Sequence, residues 1–135
     1  MSNLESGTRY WRNLRILAAG AQPIKTRYGW LLITHGSDHA HVYRLGVMLL
    51  DLKDPRTLVY RSPNSILEPT ESYEVGEADT HHVPNVVFTC GAVPREGDKK
   101  VLDAEDELLV YYGAADLVVG VAIAKVAELI PGDFR

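Results

Sequence analysis

The sequence predicts an all-β, antiparallel fold, and three observations carry that prediction. Short runs rich in β-branched and aromatic residues recur between Gly, Pro, Asp and Asn punctuation. No long stretch with a 3.6-residue apolar period appears ahead of the C-terminal end. A unit is also repeated: Gly29-Trp30-Leu31-Leu32-Ile33-Thr34-His35-Gly36 aligns with Asp106-Glu107-Leu108-Leu109-Val110-Tyr111-Tyr112-Gly113. Each copy continues through an Asp, Asp38 or Asp116, into a strand that carries Gly46 or Gly120.

Taken in order, the strands are expected at residues 30–35, 42–50, 58–61, 86–93, 108–112 and 118–124, with one helical turn at 125–130. Arg27-Tyr28-Gly29 fits a tight turn into the first of these, and Lys53-Asp54-Pro55-Arg56 fits another before Leu58, because Gly relieves positive φ and Pro fixes φ. The Trp30, Val42 and Leu58 segments are expected as consecutive antiparallel strands of one sheet, and the Leu108 and Val118 segments as a pair in another. One small sheet cannot bury both of its faces, so a repeated strand-turn-strand unit points to blades of a β-propeller, with a small β-sandwich as the rival. Blades take about 40 to 50 residues. The chain would then supply roughly three, whereas a closed propeller needs at least about four, so further blades are expected from elsewhere.

The chain has 135 residues, 46% hydrophobic and 24% charged, which suits one unit spanning residues 1–135. The formal net charge is −4, with acids and bases interspersed, which argues against nucleic acid and anionic membrane as partners. No apolar run reaches the roughly 20 residues of a membrane span, and the start lacks the basic and apolar regions of a signal peptide. A cytoplasmic location is expected. The single Cys90 cannot form an internal disulfide and is expected as a small buried hydrophobe in a strand rather than a nucleophile. His81-His82 and the trio His35, His39, His41 do not match the spacing of a zinc site, so no metal is expected.

The segment Ala19-Gly20-Ala21-Gln22-Pro23-Ile24-Lys25-Thr26, followed by residues 29–36, resembles the G-A-G-x-P-P-I-K-T…G-W-L-L-I-Y-H-G signature of glycoside hydrolase family 130. Further motifs follow in that family's order. They are Tyr43-Arg44-Leu45-Gly46, Leu49-Leu50-Asp51-Leu52-Lys53-Asp54-Pro55, Ile66-Leu67-Glu68-Pro69, Tyr73-Glu74, the run 83–92 and the run 109–116. The resemblance covers residues 10–129 and implies the C-terminal part of a five-bladed propeller with its active site at the central cavity. Members cleave β-mannosidic bonds with inversion, mostly by phosphorolysis to mannose 1-phosphate, and a few hydrolyse instead. The alternatives are therefore a β-mannoside hydrolase or a non-catalytic sugar-binding propeller remnant.

The implied partners are a β-mannoside oligosaccharide and inorganic phosphate as co-substrate, with no other cofactor, besides N-terminal blades or a second copy docking on the open sheet. The family's catalytic Asp lies in N-terminal blades that have no counterpart here, so no catalytic residue is assigned. Lys25 matches a phosphate ligand, or is a solvated lysine; His35, at a strand end before Gly36, matches a donor to phosphate or to a sugar hydroxyl, or is a structural histidine. Asp116 matches the residue that holds the mannosyl unit, with turn capping as its rival. Pro84, Asn85 and Phe88 match a segment near the acceptor sugar, and Phe88 reads equally as core. Tyr43 and Arg44 line the cavity or pack across strands. Gln22, Ala19 and Thr34 depart from the family's Pro, Gly and aromatic, and the stretch 76–82 looks enlarged.

Overall fold

The computed structural model describes residue 11, residues 13–76 and residues 83–135. In chain order the elements are β1 (Leu14–Ala19), β2 (Ile24–Lys25), β3 (Trp30–Asp38), β4 (Tyr43–Leu50), β5 (Leu58–Arg61), α1 (Ser72–Val75), β6 (Val87–Pro94), β7 (Glu107–Ala114), β8 (Val118–Lys125), α2 (Val126–Leu129) and a 3₁₀ turn (Gly132–Phe134). All strand pairs within the sheets are antiparallel. One sheet has the order β1-β3-β4-β5, with β2 continuing the β1 edge of β3, and the other has the order β6-β7-β8. The expected strands and the helical turn are present within a few residues of their expected limits, but the described strands form two antiparallel sheets, two β-propeller blades instead of the roughly three expected.

Period-2 alternation explains how the sheets stack. In β3 and β4 the odd-numbered residues Leu31, Ile33, Leu45, Val47 and Leu49 are buried, and they meet Val87, Leu108, Val110, Tyr112 and Ala114 of the second sheet in one core. Large residues of β7 face small ones of β8 in register: Tyr112 opposite Gly120, Val110 opposite Ala122 and Leu108 opposite Ala124. A Cβ on Gly120 would come within 2.5 Å of the Tyr112 ring, so only glycine lets that ring lie across β8. The odd-numbered side chains of β8 point the other way, and Val119, Val121 and Ile123 are 70%, 52% and 54% exposed. That is a contiguous apolar strip of the kind that marks an interaction surface.

Side-chain-to-backbone bonds close the turns. Thr26 Oγ1 accepts from the amides of Tyr28 and Gly29 and donates to the Gly29 carbonyl at 2.7 Å, which fixes the turn into β3. Asp51 Oδ1 accepts from the amides of Lys53 and Asp54 and starts the turn toward β5. Asp38 Oδ1 accepts from Ala40 and Val42 and turns β3 into β4.

Two expectations are corrected. His35 does not end its strand, because β3 pairs on to Asp38 against both β1 and β4. Cys90 lies in a strand but is exposed, since a bulge between Thr89 and Gly91 inserts it as an extra residue and turns it outward.

Candidate functional site

The site is assembled where the late part of β3 meets the beginnings of β4 and β6. His35 and Ser37 occupy the core-facing side of β3, and Tyr43 pairs with Ser37. The Tyr43 amide donates to the Asn85 carbonyl at 3.0 Å, and Tyr43 forms a parallel bridge with Val86, which draws the start of β6 alongside β4. Phe88 consequently lies on His35, with ring centroids 3.8 Å apart and planes 31° off parallel, and Tyr43 completes the cluster 6.0 Å from Phe88 and 6.4 Å from His35. Phe88 is 40% exposed, whereas His35 is buried beneath it. The cluster thus offers solvent an aromatic face backed by an imidazole, a surface suited to the apolar side of a sugar ring.

Burial lowers the pKa of His35 below its ordinary value, so the ring is neutral near pH 7. Its Nδ1 is buried and has no hydrogen-bond partner among the described residues, and the same holds for Thr34 Oγ1, Ser37 Oγ and Thr89 Oγ1. Native interiors rarely leave such atoms unpaired except where ordered water or a ligand completes them. Gly20 brings two of these groups together: a Cβ there would lie 2.5 Å from both Cβ and the carbonyl oxygen of Thr89 and 2.7 Å from His35 Nδ1. The glycine of the Ala19-Gly20-Ala21 motif is thus the spacer that lets the chain after β1 pass between His35 and Thr89.

Three non-glycine residues with left-handed backbone stand beside this cluster: Asn85 (φ 59°), Ala115 (φ 47°) and Asp116 (φ 53°). Ala115 and Asp116 are the central residues of a β-turn in the three-residue β7–β8 connection, closed by the Leu117 amide on the Ala114 carbonyl at 3.0 Å. A turn of this type needs positive φ at both positions and normally recruits Asn or Gly. An alanine held there reflects strong constraint from its surroundings, a condition that collects at functional sites. The Ala115 amide donates to the Val86 carbonyl at 3.0 Å, so the Asp116 turn and the Asn85 segment are one bonded unit. Pro84 and Asp116 are exposed, and Asn85 is half-buried.

The structure brings His35, Tyr43, Asn85 and Phe88 together, with Pro84 and Asp116 at the rim, and leaves two sequence-predicted residues out. Arg44 follows Tyr43 in the strand and points to the opposite face, where it pairs with Asp38 at 2.8 Å and with Glu68 at 3.2 Å. Lys25 pairs in register with Trp30 on that same opposite face, its ammonium 5.8 Å from the Trp30 ring. At about 3.3 Å per residue, the five steps from Trp30, the partner of Lys25, to His35 place the two residues' backbone positions roughly 16 Å apart along β3. Among the described residues no group of three or more His, Cys, Asp or Glu is arranged to hold a metal ion. His81, His82 and most of the enlarged 76–82 stretch lie outside the described residues. No helix of the described residues is long and apolar enough to cross a membrane.

The roles of Ser37, Thr89 and Gly20 carry no local sequence signal, because they arise from proximity across the two sheets. Nor does the sequence mark the pairing of Glu74 with Tyr112, whose hydroxyl donates to a buried Glu74 carboxylate oxygen at 2.8 Å. The available signal was a Glu71-x-x-Glu74 pair resembling a capping box, which is weak without Ser or Thr at its first position.

The sequence profile of the β-1,4-mannooligosaccharide phosphorylase family matches residues 3–131. A β-1,2-mannobiose phosphorylase of Thermoanaerobacter sp. (strain X514) is 49% identical over 115 residues, covering 85% of this chain and 33% of that protein. A 1,2-β-oligomannan phosphorylase of the same organism is 42% identical over 119 residues, 88% of this chain and 36% of its own. The solved β-1,2-mannobiose phosphorylase from Listeria innocua, in complex with β-1,2-mannobiose, superposes with a TM-score of 0.70 at 37% identity, over 84% of this chain and 28% of that one. The chain spans about a third of the length of the curated relatives it matches.

Proposed function

Because the chain belongs to the β-1,4-mannooligosaccharide phosphorylase family, glycoside hydrolase family 130, we propose that it forms part of an enzyme that cleaves β-mannosidic bonds by inverting phosphorolysis, releasing mannose 1-phosphate. The observation that carries this reading is the His35–Tyr43–Phe88 cluster with Asn85 and Asp116 at its rim. The two relatives more than 40% identical are named for β-1,2-linked substrates, so the linkage we propose is β-1,2.

Inverting phosphorolysis needs an acid on the leaving oxygen, and donors that hold phosphate on the opposite face of the sugar. In this reading Phe88 carries the apolar face of a sugar, the Asn85 amide and the Tyr43 hydroxyl bond its hydroxyls, and Asp116 accepts from vicinal hydroxyls of the mannosyl unit. Pro84 shapes the rim beside Asn85. With Nδ1 of a neutral His35 turned inward, Nε2 is the nitrogen that can donate to phosphate. Lys25 and Arg44 serve anions or sugar only from the other face of the first sheet, where another blade would meet them. We assign no proton donor to this cluster. Asp38 and Glu74 are each held below the ordinary carboxylate range, because bonds from Arg44 and backbone amides at Asp38, and from backbone amides and Tyr112 at Glu74, outweigh desolvation. The acid therefore comes from another part of the enzyme, whose blades would cover Val119, Val121 and Ile123. The lone cysteine fits a reducing compartment, and we propose a cytoplasmic location.

The test replaces the matching third of the Thermoanaerobacter β-1,2-mannobiose phosphorylase with this chain and follows β-1,2-mannobiose with and without phosphate. Phosphate-dependent mannose 1-phosphate is the expected product, lost in His35→Asn and in Asp116→Asn. Free mannose released without phosphate would make the enzyme a hydrolase. A folded chimera with no turnover would leave the non-catalytic remnant.

A further inference from the structure

Glu74 is a carboxylate only 2% exposed, and nothing in the proposed reaction uses it. An unpaired charge in such a place is strongly disfavoured, so what pairs with it matters. Oε1 accepts from the Tyr112 hydroxyl at 2.8 Å, and Oε2 accepts from the amides of Thr70 and Glu71 at 2.9 Å each. With three donors directed at it, the carboxylate stays ionised and has no proton to give, which excludes an acid role. Its bonds instead tie α1 to β7.

The carbonyls of α1 then hold the site segment. Glu74 O accepts from the Val86 amide at 3.1 Å, and Val75 O accepts from the Asn85 amide at 2.9 Å. The same two residues pass the connection on through their carbonyls, Asn85 to the Tyr43 amide and Val86 to the Ala115 amide, at 3.0 Å each. Residues 85 and 86 are thus bonded to α1, β4 and the β7–β8 turn together. Gly120 belongs to the same arrangement, since it makes the room in which the Tyr112 ring reaches Glu74.

We propose that Glu74 is a positioning residue: bonded to Tyr112, it fixes α1 on the second sheet, and α1 fixes the backbone of Asn85 and Val86, so that Asn85 and the Asp116 turn stand at the rim of the His35–Tyr43–Phe88 cluster. What those residues bind rests on the proposed function; what holds them in place does not. Truncating this clamp releases the left-handed Asn85 and the Ala115–Asp116 turn while leaving the sheet ladders intact.

The test uses the full chain, its Glu74→Gln and Tyr112→Phe variants, and two NMR measurements. The first is amide hydrogen exchange. In Glu74→Gln, protection of the Asn85 and Val86 amides should fall by about tenfold or more, the scale of one lost hydrogen bond to a charged group. Amides in the β3–β4 ladder should keep their wild-type protection. Tyr112→Phe, which leaves the two backbone donors of Glu74 in place, should show the same local effect at smaller amplitude and covers the case in which Glu74→Gln fails to fold. The second is titration with β-1,2-mannobiose, where the Asn85 response should weaken several-fold in either variant. Unchanged exchange at Asn85 and Val86, or exchange accelerated equally through both sheets, overturns the clamp. A wild-type chain with no response to mannobiose counts against the proposed function, while the exchange data still decide the clamp.

Discussion

Gly20→Ala tests whether the close approach between the end of β1, His35 and Thr89 is a requirement of the site. The added methyl would sit 2.5 Å from Thr89 Cβ, 2.5 Å from the Thr89 carbonyl oxygen and 2.7 Å from His35 Nδ1. Ordinary contact distance is about 3.5–4.0 Å, so roughly 1 Å of relief is needed on two sides at once. Thr89 cannot supply it by a rotamer change, because its backbone oxygen is one of the obstacles and β6 is held by its ladder with β7. Overpacking of this kind costs about 1–3 kcal/mol, and the backbone obstacle favours the upper half of that range. The reduced freedom of the unfolded alanine chain offsets about 0.4–1 kcal/mol. A net loss of about 1–2.5 kcal/mol is expected, a sizeable part of the roughly 5–15 kcal/mol that holds a typical domain together. The assay is urea denaturation read as a shift in midpoint at constant slope. Gly97→Ala serves as control, since a Cβ there meets nothing within 4 Å. The displaced imidazole should also shift the His35 ring resonances, because Phe88 stacks on it at 3.8 Å. If Gly20→Ala unfolds at the same urea concentration as Gly97→Ala, with the His35 resonances unmoved, the spacer role of Gly20 is wrong.

Two further outcomes are expected. Burial lowers the pKa of His35 below its ordinary 6.5, so the unfolded chain takes up this proton first; stability should be full above pH 6.5 and decline as pH falls toward the folded pKa. Urea midpoints measured across that window should lose this part of their slope in His35→Gln, and an identical slope would mean that His35 is not buried neutral. The strip of Val119, Val121 and Ile123, 70%, 52% and 54% exposed, should make the isolated chain self-associate as concentration rises. The double variant Val121→Lys/Ile123→Lys should sediment as a monomer, and a wild type that stays monomeric throughout would show that the strip does not drive association.

Elements with a local signal were legible in the amino-acid sequence. Short apolar runs rich in β-branched and aromatic residues mark β3, β4, β7 and β8, and within each run alternate residues face the core. Turn chemistry placed the approach to β3 and the stretch after Asp51, since Gly29 and Pro55 restrict or release φ wherever they stand. The ordered motifs from Ala19 to Asp116 pointed to the family that the profile match over residues 3–131 establishes. β1 escaped because it is an edge strand with nearly every side chain exposed and a bulge at its start, so no period marks it. The remaining features depend on which distant residues touch, and only folding brings those residues together. His35 could be placed beneath Phe88 only once β6 lay against β4, and the distance from Lys25 to His35 follows from the register of β2 on β3. Gly20 acquires its purpose from Thr89, in the other sheet. Glu74 and Tyr112 are 38 residues apart in sequence, and no local pattern can show that a carboxylate and a phenol so separated will share one buried hydrogen bond.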